Sequence, residues 1–132
     1  MISTNAASDG APTRILVADD NRDAATSLAT LLSFDGHDTR IANDGEEALR
    51  VAEEFLPHIA FLDIGMPRVD GYEVARRIRA ASWGGSILLV ALTGWGQADD
   101  RRRALEAGFD RHFTKPLDLD ALGPFVQDAR RR

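Results

Sequence analysis

The sequence predicts an α/β fold in which five βα units form a doubly wound sandwich, with helices on both faces of a parallel sheet. Short apolar runs alternate along the chain with longer segments whose apolar residues recur at helical spacing. Three of the apolar runs contain almost no polar residue, which is typical of strands buried on both faces. The length of 132 residues fits one ordinary domain.

Five runs are predicted to be strands because they are short, apolar and bounded by polar or turn-forming residues. They span residues 14–19, 38–42, 58–63, 86–92 and 111–115. Residues 1–13 are small and polar, so we expect a disordered leader followed by one domain over residues 14–132.

Helices are predicted between the strands because apolar residues there share one helical face. The three stripes that show this are Leu28, Leu31 and Leu32; Ala48, Val51, Ala52 and Phe55; and Val74, Ala75 and Ile78. Asp70 with Glu73 has the spacing of a helix N-cap, and Gly108 suits the end of the fourth helix. Gly123 and Pro124 are expected to kink or restart the fifth helix, because proline removes a helical hydrogen bond.

The composition excludes several classes of function. Sixteen basic against 21 acidic residues leave a net charge of −5, which argues against a surface for nucleic acid. The chain has no cysteine, so thiol nucleophiles and thiolate metal sites are absent. The longest apolar stretch, residues 87–92, is too short to span a membrane, and no signal peptide is recognisable. We therefore expect a cytoplasmic protein without membrane partners.

Charged and polar residues stand at the carboxyl ends of the predicted strands, which is where ligands bind in doubly wound sheets. The first strand runs into Asp19 and Asp20, the third into Asp63, the fourth into Thr93 and the fifth into Lys115. Each alone is also typical of a helix cap or a turn. Their coincidence at four strand ends is what points to a site.

Three carboxylates at one rim would repel each other, and a divalent cation would relieve the repulsion. Magnesium is the expected ion, because it prefers carboxylate and phosphate oxygens and the chain offers no sulfur ligand. Asp63 ends the central strand of the set, so we expect it to be the nucleophile toward a phosphoryl group. Lys115, the only lysine in the chain, and the Thr93 hydroxyl would then stabilise the phosphoryl oxygens.

Four segments carry a family resemblance. They read ILVADDN, AFLDIGMPRVDGYEVARRIR, LLVALTGWG and AGFDRHFTKPL, between Arg14 and about Leu122. This part of the chain resembles the receiver domain of two-component response regulators, either a stand-alone receiver of the chemotaxis type or a receiver fused to a hybrid histidine kinase. The resemblance implies a flavodoxin-like sheet with strand order 2-1-3-4-5.

By position, the resemblance assigns the acidic residues to a phosphoryl and metal site. Asp63 corresponds to the phosphoacceptor aspartate. Asp20 corresponds to the direct magnesium ligand and Asp19 to its water-linked neighbour, while Gly65 would offer its backbone carbonyl to the ion.

The resemblance also assigns roles on the last two strands. Thr93 corresponds to the switch residue that bonds the phosphoryl group, and Lys115, before a cis Pro116, to the residue that pairs with it. His112 stands where the family most often has an aromatic switch residue, although it fits a solvent-facing edge histidine equally well. Trp95 stands where it would either screen the site or be a plain loop residue.

The implied function is that of a phosphoacceptor switch and not of an enzyme that turns over a free substrate. A histidine kinase or a histidine phosphotransfer protein would donate the phosphoryl group from a phosphohistidine. The modification would then change a docking surface around the fourth helix, the fifth strand and the fifth helix for a downstream protein target.

Two alternatives stay open at this stage. A small phosphohydrolase of the haloacid-dehalogenase type also uses an aspartate nucleophile, a lysine and magnesium, but it normally needs an Asp-x-Asp motif, whereas Asp19 and Asp20 are adjacent. A binding module with a vestigial acidic site is the other, and the complete set of site residues argues against it.

Overall fold

The computed structural model describes residues 12–94 and 98–131. The strands are β1 (Arg14–Ala18), β2 (Asp38–Ala42), β3 (Ile59–Asp63), β4 (Leu88–Thr93) and β5 (Arg111–Thr114). The helices are α1 (Arg22–Phe34), α2 (Gly45–Phe55), α3 (Gly71–Ala80), α4 (Ala98–Ala107) and α5 (Leu119–Arg131).

All strand pairs are parallel, and the sheet has the order β2-β1-β3-β4-β5, so the predicted fold class is confirmed. The sheet separates two hydrophobic cores. One contains the buried side chains of α2, α3 and α4, and the other contains those of α1 and α5. No helix in the described part of the chain has the length and apolar content needed to cross a membrane.

Three helices begin at the edge of the sheet where the strands end. Their N-caps are Asn21, Asp44 and Asp70, whose side chains accept hydrogen bonds from the backbone amides three residues further along. Such caps are strong helix-start signals. Asp70 with Glu73 confirms the predicted cap, and the helix N-termini and strand ends together surround one rim.

Strand boundaries differ from the prediction by one or two residues. β4 begins at Leu88 and not at residue 86, and Asp19 and Lys115 follow their strands instead of ending them. Residues 1–11 of the predicted leader lie outside the described residues. Thr13, however, is buried, and its carbonyl accepts a hydrogen bond from the Asp38 amide, which extends the β1–β2 pairing by one residue.

Of the two expectations for the fifth helix, the restart at Pro124 is wrong, because α5 is one helix with Pro124 inside it, and the kink stays a prediction. Proline removes the bond that its nitrogen would have donated one turn back, and its ring crowds the carbonyl there, so packing must compensate for both. Leu122 and Val126, on either side, are fully buried, and the Phe125 ring packs edge-on against Phe61 and Phe113. This burial offsets the lost hydrogen bond.

Candidate functional site

Lys115, just after β5, contacts residues at the ends of β1, β3 and β4. Its Nζ lies 3.0 Å from Oδ2 of Asp19, after β1, and 3.3 Å from Oδ2 of Asp63, the last residue of β3. The Lys115 backbone amide donates to the carbonyl of Thr93, the last residue of β4, at 2.7 Å. The structure therefore brings four of the predicted residues to one rim.

The predicted acidic cluster is also present. Asp19, Asp20 and Asp63 each offer a carboxylate oxygen, and these oxygens lie within 4.8 Å of one another. Asp19 and Asp63 are buried, with 2% and 8% of their surface exposed, whereas Asp20 is exposed. The cluster is thus a shallow acidic site with two buried members and one that faces solvent.

The electrostatics of the cluster show an excess of negative charge. Burial raises the pKa of Asp63, and the neighbouring Asp19 raises it further, against the lowering effects of the Gly65 amide and the Lys115 charge. Burial alone would lower the pKa of Lys115, but the hydrogen bond and charge of Asp19 and the charge of Asp63 outweigh it and raise that pKa. One ammonium therefore does not compensate the carboxylates fully.

This donor set fits a magnesium ion. Carboxylate oxygens are hard ligands, and magnesium is usually held by one or two of them together with water and phosphate. Three carboxylates lie within 4.8 Å of one another beside a single ammonium, so added positive charge would be favourable at this rim. Asp19, Asp20 and Asp63 are the residues that could hold the ion.

The loop after β3 is shaped around Asp63. The Gly65 amide donates to Oδ1 of Asp63 at 2.9 Å, and Gly65 itself is exposed. Gly71, at the start of α3, packs so closely that a Cβ there would lie 2.6 Å from Cα of Ile64 and 2.7 Å from the Asp63 carbonyl oxygen. Glycine at this position therefore allows α3 to approach the strand end.

The predicted switch residues Thr93 and His112 lie on β4 and β5, on one face of the sheet. Thr93 is buried, and its hydroxyl donates a long hydrogen bond of 3.5 Å to the carbonyl of Phe113. His112 is half-buried and pairs in register with Ala91, so it lies on the same face of the sheet as Thr93, beside α4. It lines a cavity of about 350 Å³ between α4 and β5.

The Lys115–Pro116 bond is cis, and Trp95 lies outside the described residues.

Two residues that support the site were missed in the sequence. The Asn43 side chain donates to the carbonyl of Asp19 at 3.2 Å, and the Asn21 backbone amide donates to Oδ1 of Asp19 at 3.0 Å. Both fix the orientation of Asp19. Asn43 follows β2, so applying the strand-end rule to the second strand would have found it.

Comparisons with known proteins agree with this geometry. The sequence profile of the response regulator receiver domain matches residues 15–127. The response regulator MprA of Mycolicibacterium vanbaalenii is 40% identical over 111 residues, which cover 84% of this chain and 47% of that relative. The chain thus spans about half the length of this curated relative.

Two solved structures are similar over nearly the whole chain. A putative response regulator from Chloroflexus aurantiacus has a TM-score of 0.86 at 29% identity, covering 92% of this chain and 100% of that one. The receiver domain of the sensor histidine kinase PA1611 from Pseudomonas aeruginosa has a TM-score of 0.84 at 30% identity with the same coverage, and its structure holds a magnesium ion in the active-site cleft.

Proposed function

Since the chain belongs to the response regulator receiver domain family and thus to two-component signalling, we propose that Asp63 accepts a phosphoryl group from a phosphohistidine of a partner protein. The observation that carries this proposal is the contact of Lys115 with both Asp19 and Asp63 in an acidic cluster. A nucleophilic carboxylate, a cation for the phosphoryl oxygens and a set of magnesium ligands are the parts that phosphoryl transfer needs.

In the proposed reaction a carboxylate oxygen of Asp63 forms a bond to phosphorus while the bond from phosphorus to the donor's imidazole nitrogen breaks. The electron pair stays on the imidazole, and the product is an acyl phosphate that water later hydrolyses. Lys115 lies 3.3 Å from Asp63 and can pair with the phosphoryl oxygens as they arrive. A magnesium ion bound by Asp19, Asp20 and Asp63 would supply further positive charge there.

A partner has a surface to bind beside this rim. A cavity of about 350 Å³ lies between α1 and the segment after β5, next to Asp19 and Lys115. Its lining is mainly apolar or small, and includes Ala24, Ser27, Leu28, Leu117 and Leu119. Leu119 is 48% exposed. We propose that a histidine kinase or a histidine phosphotransfer protein binds here.

The proposed switch connects the site to the face formed by α4 and β5. Thr93 lies at the end of β4, and a phosphoryl group on Asp63 would offer its hydroxyl new acceptor oxygens in place of the long bond to Phe113. His112, on the same side of the sheet, borders the cavity beside α4. A downstream protein target would bind this face.

The test is phosphorylation by acetyl phosphate in magnesium buffer, followed by intact-mass spectrometry. We expect the wild type to gain one phosphoryl group and Asp63→Ala to gain none. Asp38→Ala, which removes an exposed carboxylate at the start of β2, is the matched control and should behave as the wild type. Undiminished labelling of Asp63→Ala would contradict the assignment, and turnover of p-nitrophenyl phosphate would favour a phosphohydrolase instead.

A further inference from the structure

Arg79, in the last turn of α3, binds several segments at the end of the sheet opposite the acidic cluster. Its Nε donates to the Gly108 carbonyl at 3.0 Å, its Nη2 to Oδ2 of Asp110 at 2.7 Å, and its Nη1 to the carbonyls of Ile87 and Gly84 at 2.8 and 3.0 Å. We call Arg79 and these four partners the Arg79 cluster. All three guanidinium nitrogens are engaged, and the side chain is 24% exposed.

Asp110 extends the cluster into the sheet. Its Oδ2 also accepts from the Leu89 amide at 2.8 Å, and its own amide donates to the Leu89 carbonyl at 2.8 Å. Gly108 has a φ of +110°, and a Cβ there would lie 2.6 Å from Cγ of Arg79. The C-terminal end of α4 and the beginnings of β4 and β5 are therefore tied to α3 at one point.

Within α4 itself, the described residues 101–107 bury little side-chain surface. Among the residues whose burial is described, α4 buries only Ala104 and Ala107, and Leu105 is 64% exposed. Near the middle of the helix, the Arg103 guanidinium lies 4.3 Å from the centre of the Tyr72 ring on α3. A cation–π contact of an exposed arginine is weak compared with several charge-assisted hydrogen bonds. Between residues 101 and 107, the contacts of α4 that the structure describes are therefore weak compared with the Arg79 cluster just beyond its C-terminal end.

We propose that Arg79 is a positioning residue that fixes the C-terminal end of α4 and the start of β5, so that this end is the pivot when the α4 face responds to phosphorylation. The anchoring part rests on the contacts of the Arg79 cluster alone. The pivot part rests on the proposed function, because it needs a phosphoryl group on Asp63. A change that starts near Thr93 would then move the N-terminal half of α4 and leave its C-terminal end in place.

The anchoring part is tested by amide hydrogen–deuterium exchange on the full chain with Arg79→Lys. Lysine keeps the charge but lacks the planar fork, so exchange in residues 84–89 and 105–111 should become about ten-fold faster or more. The control is Arg77→Lys, on the same helix, because Arg77 pairs with Glu73 of its own helix and is 53% exposed. Its exchange should stay within about two-fold of the wild type.

The pivot part is tested by adding magnesium and beryllofluoride, a mimic of the phosphoryl group. In the wild type we expect exchange to change in residues 98–104 and to stay within about two-fold in residues 105–111. In Arg79→Lys the change should extend into residues 105–111. If Arg79→Lys does not fold, Asp110→Asn serves instead, since its amide oxygen can still accept from Leu89 while the charge paired with Arg79 is lost.

The outcomes separate the two proposals. If the amides of residues 84–89 and 105–111 exchanged at the same rate in Arg79→Lys as in Arg77→Lys, the anchoring role of Arg79 would be overturned. A wild-type response to beryllofluoride that is as large in residues 105–111 as in residues 98–104 would overturn the pivot. If magnesium and beryllofluoride changed the exchange of no peptide, including the loop after β3, the proposed phosphoryl function and the pivot would both be overturned. The comparison of Arg79→Lys with Arg77→Lys without beryllofluoride would still decide whether Arg79 is the anchor.

Discussion

The acidic cluster should destabilise the protein when no metal is bound, and Asp63→Asn should reveal this. The substitution keeps the size of the side chain and an acceptor for the Gly65 amide, but removes one charge from the cluster. We expect the variant to be more stable than the wild type in buffer that contains a chelator, because the Asp63 carboxylate is buried beside two others.

The magnitude follows from Coulomb's law. At an effective dielectric constant of about 20, two carboxylates within 4.8 Å each repel Asp63 by about 3.5 kcal/mol, whereas the Lys115 ammonium at 3.3 Å attracts it by about 5 kcal/mol. A net repulsion of about 2 kcal/mol remains. Solvent at the exposed Asp20 weakens its repulsion, whereas solvent at Lys115 weakens the attraction, so the two corrections oppose each other and leave about 1–2 kcal/mol. For a domain of this size that is a rise in Tm of about 3–8 °C.

The assay is thermal unfolding followed by circular dichroism, with and without excess magnesium, and with the exposed-site variant Asp38→Asn as control. Magnesium should reduce the difference in Tm between Asp63→Asn and the wild type, because it stabilises the wild type selectively. Lower pH should also reduce this difference in Tm. Burial raises the pKa of Asp63 in the folded protein, so the loss of stability is absent below the unfolded value of 3.8, grows as the pH rises above it, and is complete once the pH passes the raised folded pKa. An Asp63→Asn variant no more stable than the wild type in chelator would refute the reasoning.

Other expected outcomes concern the site and the packing. Lys115→Arg should slow phosphate incorporation from acetyl phosphate by about ten-fold or more, because a planar fork replaces a compact ammonium at the phosphoryl oxygens; wild-type labelling rates would contradict its role. Gly71→Ala should lower the free energy of unfolding in urea by about 2 kcal/mol or more, since its Cβ meets the backbone of Ile64, whereas Gly85→Ala has nothing within 4 Å and should be nearly neutral. Leu122→Ala, at a fully buried position of α5, should cost about 2–5 kcal/mol in the same assay, and a loss below 1 kcal/mol would show that α5 is not anchored there.

The site was largely predictable because one rule of sheet topology places its residues. Parallel strands that end in polar residues bring those residues to one rim whatever the details of the helices. Asp19, Asp63, Thr93 and Lys115 were found in this way, and the structure brings them together. The roles that the family resemblance assigns to these residues, and to Asp20, Gly65 and His112, remain predictions.

What could not be predicted depends on contacts between residues far apart in the sequence. Ile87 is apolar and buried, so periodicity includes it in the fourth strand, but its carbonyl accepts from Arg79 and the strand begins one residue later. Pro124 looks like a helix break by local rules, and only the aromatic packing of Phe125 explains why α5 continues. Local propensity is weak where tertiary packing opposes it.

Lys115 is a unique site for chemical labelling of a side-chain amine. It is the only ε-amino group in the chain, and it lies between two carboxylates of the proposed phosphoryl site. An amine-acylating reagent therefore has one side-chain target, and that target sits at the centre of the proposed chemistry. Acylation would remove the positive charge that contacts Asp19 and Asp63, so acetylation of Lys115 would oppose the proposed phosphorylation of Asp63. The extent to which Lys115 is acylated would also report whether a phosphoryl group or a metal ion protects the proposed site.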